Sequence, residues 1–137
     1  MSNIQNLTES TISMNKTGKS ILIIDDDPRN IFALSAILKA RGFSVVSASG
    51  MKEAFEILGW HENIGIILID MMMPDMDGYE AIPRLKQDAR YQHIPLIAVT
   101  AQAMAGDREK CLAAGADDYL AKPVDVDALL QLLSTST

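Results

Sequence analysis

Apolar and polar positions come in blocks along the chain. Ile21-Leu22-Ile23-Ile24 is a short apolar run, as a strand buried on both faces presents. It stops at Asp25, Asp26 and Asp27. Pro28 suits the first turn of a helix and Asp27 its N-cap. Ile31, Leu34 and Leu38 then share a helical face, and Gly42 ends it as a left-handed cap would. Residues 43–48 read as a second strand. Met51, Ala54, Phe55 and Leu58 have helical spacing. Residues 66–69 are a third buried strand, ending at Asp70. A loop with Pro74 closes on Gly78, where a helix begins at Gly78 or Tyr79. Residues 96–99 form a fourth strand, ending at Thr100, and a helix over residues 106–114 stops at Gly115. Residues 118–121 form a fifth strand, ending at Lys122-Pro123. Val126, Leu129, Leu130 and Leu133 mark a last amphipathic helix.

Strands alternating with helices imply a parallel sheet covered on both faces, with right-handed crossovers. The expected fold is α/β, a flavodoxin-like (βα)5 doubly wound sheet with five parallel strands in the order 2-1-3-4-5. One domain is expected over residues 20–134. Residues 1–19, polar with scattered Ile4, Leu7, Ile12 and Met14, read as a flexible extension, and residues 135–137 as a frayed tail. Pro83 cannot donate to the carbonyl of Tyr79, so a kink or a late helix start is expected there.

Composition narrows the function. With 137 residues, 48% of them hydrophobic, there is material for one core. A net charge of −6 argues against direct nucleic-acid binding. One cysteine, Cys111, cannot form an internal disulfide and reads as a small buried residue. No apolar run of about 18 residues suggests a membrane span, and no basic-then-apolar leader is present, so a cytoplasmic location is expected.

The polar residues mark strand ends. Asp25 and Asp26 end the first strand, Asp70 the third, Thr100 the fourth and Lys122 the fifth. In a parallel sheet these ends share one edge, where ligands bind at the switch in strand order. Strands one and three are neighbours at that switch, so Asp25, Asp26 and Asp70 converge. Two unit charges about 4 Å apart repel by about 4 kcal/mol at an effective dielectric of ~20. A divalent cation or a protonated carboxyl must relieve this. Oxygen ligands in an open site favour Mg2+ or Mn2+, and the two distant histidines, His61 and His93, argue against zinc. Lys122 and Thr100 supply a positive charge and a hydroxyl that can hold an anion. A metal-bound carboxylate faced by a lysine can accept a phosphoryl group. Singly, each residue reads as a cap or as surface; their joint placement at four of five strand ends favours the site. Asp75 and Asp77 read as turn and cap residues, and the run Met71-Met72-Met73 as packing.

At these residues the chain resembles the receiver domain of two-component response regulators. The matching stretches run from Ile21 to Pro28, Ile69 to Gly78, Ala98 to Ala101 and Asp118 to Pro123, within a resemblance over about residues 20–134. The resemblance implies that Asp70 is the phosphoacceptor and that Asp25, Asp26 and the backbone carbonyl of Met72 hold Mg2+ with it. It implies that Thr100 is the switch hydroxyl, Lys122 the phosphate-binding lysine and Tyr119 the aromatic switch residue. The donor it implies is a phosphohistidine on a sensor histidine kinase or a histidine phosphotransfer protein. Met72 and Gln102 match positions that tune phosphoryl lifetime. A bulky apolar Met72 cannot orient water, which predicts slow hydrolysis; equally, it can merely pack over the loop.

Three readings compete. In the first, the protein is a stand-alone switch and not an enzyme. Only four residues follow Leu133, so output is expected through a downstream protein, at the face of the fourth helix, fifth strand and fifth helix. In the second, it is the receiver module of a hybrid histidine kinase and relays phosphate to a phosphotransfer protein. Residues 107–111 and 117–120 look like such receivers. The third is a small enzyme. A flavodoxin-like redox protein needs a phosphate-cradling loop where Asp25-Asp26-Asp27-Pro28 would repel it, and an aspartate-nucleophile phosphatase would carry its nucleophile on the first strand.

Overall fold

The computed structural model describes residues 19–101 and 104–136. The elements are β1 Ser20–Ile24, α1 Pro28–Ala40, β2 Ser44–Ala48, α2 Met51–Trp60 and β3 Ile64–Asp70, then α3 Gly78–Gln87, β4 Leu96–Thr100, α4 Asp107–Ala114, β5 Asp118–Ala121 and α5 Val126–Ser136. All strand pairs are parallel and the order is β2-β1-β3-β4-β5, as expected.

The strand period of two divides the interior into two layers. Leu22 and Ile24 of β1 and Ile67 and Ile69 of β3 join a core with Met51, Ala54, Ile82, Leu85 and Cys111, so α2, α3 and α4 cover that face. Ile21, Ile23, Ile66 and Leu68 join Leu38, Leu129 and Leu133, so α1 and α5 cover the other. Central strands buried on both sides must be apolar throughout, which is why β1 and β3 read as unbroken runs.

Some boundaries differ from the expectation. Phe43 is not in β2 but closes α1: Gly42, at φ 91°, donates its amide to Lys39 O (3.0 Å) and Phe43 donates to Leu38 O (3.0 Å). This is a Schellman cap, with Phe43 and Leu38 in the same core. β3 starts earlier, at Ile64, because Ser20 pairs with it before a bulge shifts the register. Of the two outcomes expected at Pro83, the late start is not found. Asp77 caps α3 by accepting from the Glu80 amide (3.0 Å), and buried Ala81, Ile82 and Leu85 hold the helix through Pro83. The tail is helical through Ser136, with the Ser134 hydroxyl donating to Gln131 O (2.9 Å). The expected extension falls on residues 1–19, of which 1–18 lie outside the described residues.

Candidate functional site

The register pairs Ile24 with Ile69, which sets Asp25 beside Asp70 at the C-terminal edge of the sheet. The Asp25 amide donates to Ala48 O (3.1 Å), so Asp25 continues the β1–β2 ladder and has no freedom to swing away. Asp25 and Asp70 are 4% and 5% exposed, whereas Asp26 is exposed. One carboxylate oxygen from each of the three lies within 4.8 Å of the others.

Lys122 reaches this cluster from the end of β5. Its amide donates to Thr100 O (2.8 Å), fixing the lysine against β4. Its ammonium lies 3.1 Å from Asp25 Oδ2 and 3.4 Å from Asp70 Oδ2. Thr100 is buried at the end of β4, the strand next to Asp70. The Lys122–Pro123 peptide is cis.

Local turns hold both buried carboxylates. Asp25 Oδ1 accepts from the Asp27 amide (2.8 Å), and Asp25 Oδ2 accepts from Asn30 Nδ2 (3.4 Å) as well as from Lys122. Asp70 Oδ1 accepts from the Met72 amide (3.1 Å). Burial pushes the Asp70 carboxyl above its usual value. The Met72 amide and Lys122 oppose this and the Asp25 charge adds to it. Burial pulls Lys122 down, but the hydrogen bond to Asp25 and the charges of Asp70 and Asp25 outweigh it and raise it.

One ammonium faces three carboxylates. The uncompensated charge, the all-oxygen donors and the exposed Asp26 fit a hard divalent cation that keeps some of its water, as Mg2+ does. The structure therefore brings together Asp25, Asp26, Asp70 and Lys122, with Thr100 at the adjacent strand end and the Met72 amide on Asp70. Tyr119 stands apart from the carboxylates: it is the second residue of β5, pairs with Ala98 and packs half-buried against the α2–α3–α4 core. Met72 keeps 49% of its surface exposed. Gln102 lies outside the described residues.

Two residues escaped sequence reasoning. Asn30, one turn into α1, steadies Asp25; its spacing of five from that residue was the available signal. Asp75 is a cap residue as expected, but for a distant helix. Its Oδ2 accepts from the amides of Met51 (2.9 Å) and Lys52 (3.4 Å) at the start of α2.

Comparison with known proteins agrees with this geometry. The response regulator receiver domain model matches residues 21–134. Response regulator Rre1 of Synechocystis sp. is 38% identical over 111 residues, covering 80% of this chain; the chain spans about half the length of that relative, 48%. The receiver domain of sensor histidine kinase PA1611 from Pseudomonas aeruginosa, solved with magnesium in its active-site cleft, superposes with a TM-score of 0.76 at 34% identity, covering 85% of this chain and 95% of that one. The receiver domain of Ssk1, solved with the histidine phosphotransfer protein Ypd1 of Saccharomyces cerevisiae, gives a TM-score of 0.76 at 25% identity, covering 85% and 86%. With its sheet order, its acidic strand ends and this match over nearly the whole described chain, the protein belongs to the response regulator receiver domains of two-component phosphorelay signalling.

Proposed function

We propose that Asp70 accepts a phosphoryl group from a phosphohistidine on a sensor histidine kinase or a histidine phosphotransfer protein, in a Mg2+-dependent reaction. A carboxylate oxygen of Asp70 forms the new O–P bond as the P–N bond to the imidazole breaks. Asp25, Asp26, Asp70 and the backbone carbonyl of Met72 are the groups that would hold the cation; Mn2+ fits the same donors. The bound cation would offset negative charge as the phosphoryl group enters. Lys122 and Thr100 would receive the phosphoryl oxygens. The observation that carries this reading is the Lys122 ammonium shared between Asp25 Oδ2 and Asp70 Oδ2 beside the three-carboxylate cluster. Asp25 and Lys122 also line a groove of about 190 Å³ with Ala33, Leu34 and Ile37 of α1, beside the carboxylate cluster.

Output would pass through the α4–β5–α5 face, with Thr100 and Tyr119 as switch residues. α4 buries only Asp107 and Cys111 among its eight residues, so little packing resists its displacement. Met72, half exposed, offers no group to orient water, so the acyl phosphate should decay slowly; a half-life of seconds with Mg2+ contradicts this. Among the described residues no helix is long and apolar enough to cross a membrane.

The test is exposure to acetyl phosphate with Mg2+ and intact-mass detection. Wild type should gain one phosphoryl group and Asp70→Asn none. Equal modification of both removes Asp70 from the role. The likeness to the receiver of a sensor histidine kinase keeps the relay reading in play. Transfer of phosphate from the loaded protein to a histidine phosphotransfer domain would favour it over the stand-alone switch.

A further inference from the structure

Helix α2 is capped from outside itself. Its N-cap residue, Gly50, has no side chain to offer, and no local side chain caps the helix. The missing acceptor comes from Asp75, 24 residues along the chain, through Asp75 Oδ2 and the Met51 amide (2.9 Å). The other oxygen, Oδ1, accepts from the Met76 amide (2.8 Å) and so fixes the carboxylate to its own loop. Gly50 has an extended backbone (φ −174°) open to any residue. What demands glycine there is space: a Cβ would stand 2.7 Å from Asp75 Oδ2 and 3.0 Å from Asp75 Cγ.

The same loop carries the Asp70 contact. Three residues before Asp75, the Met72 amide donates to Asp70 Oδ1. Between them, Met73 is buried and Pro74 restricts the backbone. At the far end, the Gly78 amide donates to Met71 O (3.0 Å). The segment is thus pinned at both ends and, in its middle, to α2. We infer that Asp75 is a positioning residue for phosphoryl acceptance: its bond to the N-terminus of α2 sets the place of the Met72 amide, and through it the orientation of the Asp70 carboxylate. This rests on the reading of Asp70 as phosphoacceptor.

The experiment measures the rate of acetyl-phosphate labelling, the Mg2+ affinity by calorimetry and the melting temperature for wild type and four variants. Asp75→Ala should lower the labelling rate or the Mg2+ affinity by about 10-fold, the usual effect of losing a partner behind a metal-site ligand. Asp75→Asn, which keeps an accepting oxygen, should stay within about twofold of wild type. Gly50→Ala should reproduce Asp75→Ala from the other side of the contact. The decisive variant is the double substitution Gly50→Ser with Asp75→Ala, which gives α2 a local cap and leaves the loop untied. Recovery of the melting temperature without recovery of rate or affinity supports the inference. Recovery of both, or wild-type rate and affinity in Asp75→Ala, overturns it and leaves Asp75 as a helix cap alone. If wild type itself is not labelled on Asp70, the failure lies with the phosphoacceptor reading.

Discussion

The ammonium of Lys122 lies 3.1 Å from Asp25 Oδ2, closer than to Asp70 Oδ2 at 3.4 Å. Lys122 is thus a counter-ion of both buried carboxylates, apart from the phosphate-binding role proposed for it. Removing it should leave three carboxylates without a cation. Lys122→Ala should cost about 1–3 kcal/mol of stability in chelator, with part of the loss regained when Mg2+ is added. Its acetyl-phosphate labelling should fall well below that of wild type. Thermal melts with and without Mg2+ test the first claim; a melting temperature unchanged in chelator would contradict it.

The same charge excess predicts a strong response to divalent cation. At a free Mg2+ concentration 100 times the dissociation constant, binding to the folded state alone adds about 2.7 kcal/mol. Asp25→Ala should lose most of this gain. Asp70→Asn should behave in the opposite sense in chelator: it removes one of three clustered charges and should melt above wild type. In excess Mg2+ its advantage should shrink or reverse. Denaturant melts in the two conditions check both signs, and a wild-type midpoint indifferent to Mg2+ would count against a metal at these carboxylates.

The acidic strand ends were legible because charge interrupts apolar runs that otherwise read cleanly. Asp25 and Asp70 stand where a buried strand stops and Lys122 where the half-buried edge strand β5 stops, and the parallel topology carries them to one edge. Phe43 was misplaced for a physical reason. An aromatic residue before Val45 and Val46 looks like a strand position, yet the same hydrophobicity seals a Schellman cap against Leu38. The partner of Asp75 could not be read locally. Capping is usually a matter of neighbouring residues, and only the folded chain brings Asp75 to an amide 24 residues upstream. The one sequence hint was a helical pattern at Met51 preceded by glycine instead of a capping side chain.

Tyr79 offers a test by alkaline titration. Burial, and then its contact with Cys111 Sγ (4.0 Å), push its phenol up to about 12. The unfolded value is near 10. The folded value is the higher one, so the contribution to stability is complete below about pH 10 and is lost as pH rises through about 12. Phenolate absorbance should show a late component that vanishes in Tyr79→Phe. A component near pH 10 that is present in wild type and lost in Tyr79→Phe would exclude the raised value.

Gly78 shows how tightly the Asp70 loop is closed. It is buried at the start of α3, and its amide bonds to Met71 O. A Cβ at this position would collide with Met71 Sδ and stand 3.0 Å from Met71 Cα. The sulfur end of Met71 can yield, but the backbone beside Asp70 cannot yield without moving the carboxylate. Gly78→Ala should therefore cost about 1–3 kcal/mol, the usual range for overpacking a filled interior. It should also slow labelling of Asp70 more than an equally destabilising change far from the loop, such as Leu133→Val, which trims the α5 core face. Matching the two variants for stability in denaturant melts and then comparing their labelling rates separates loop geometry from general weakening. Equal rates would show that the Met71–Gly78 closure supports the fold without shaping the phosphoryl site.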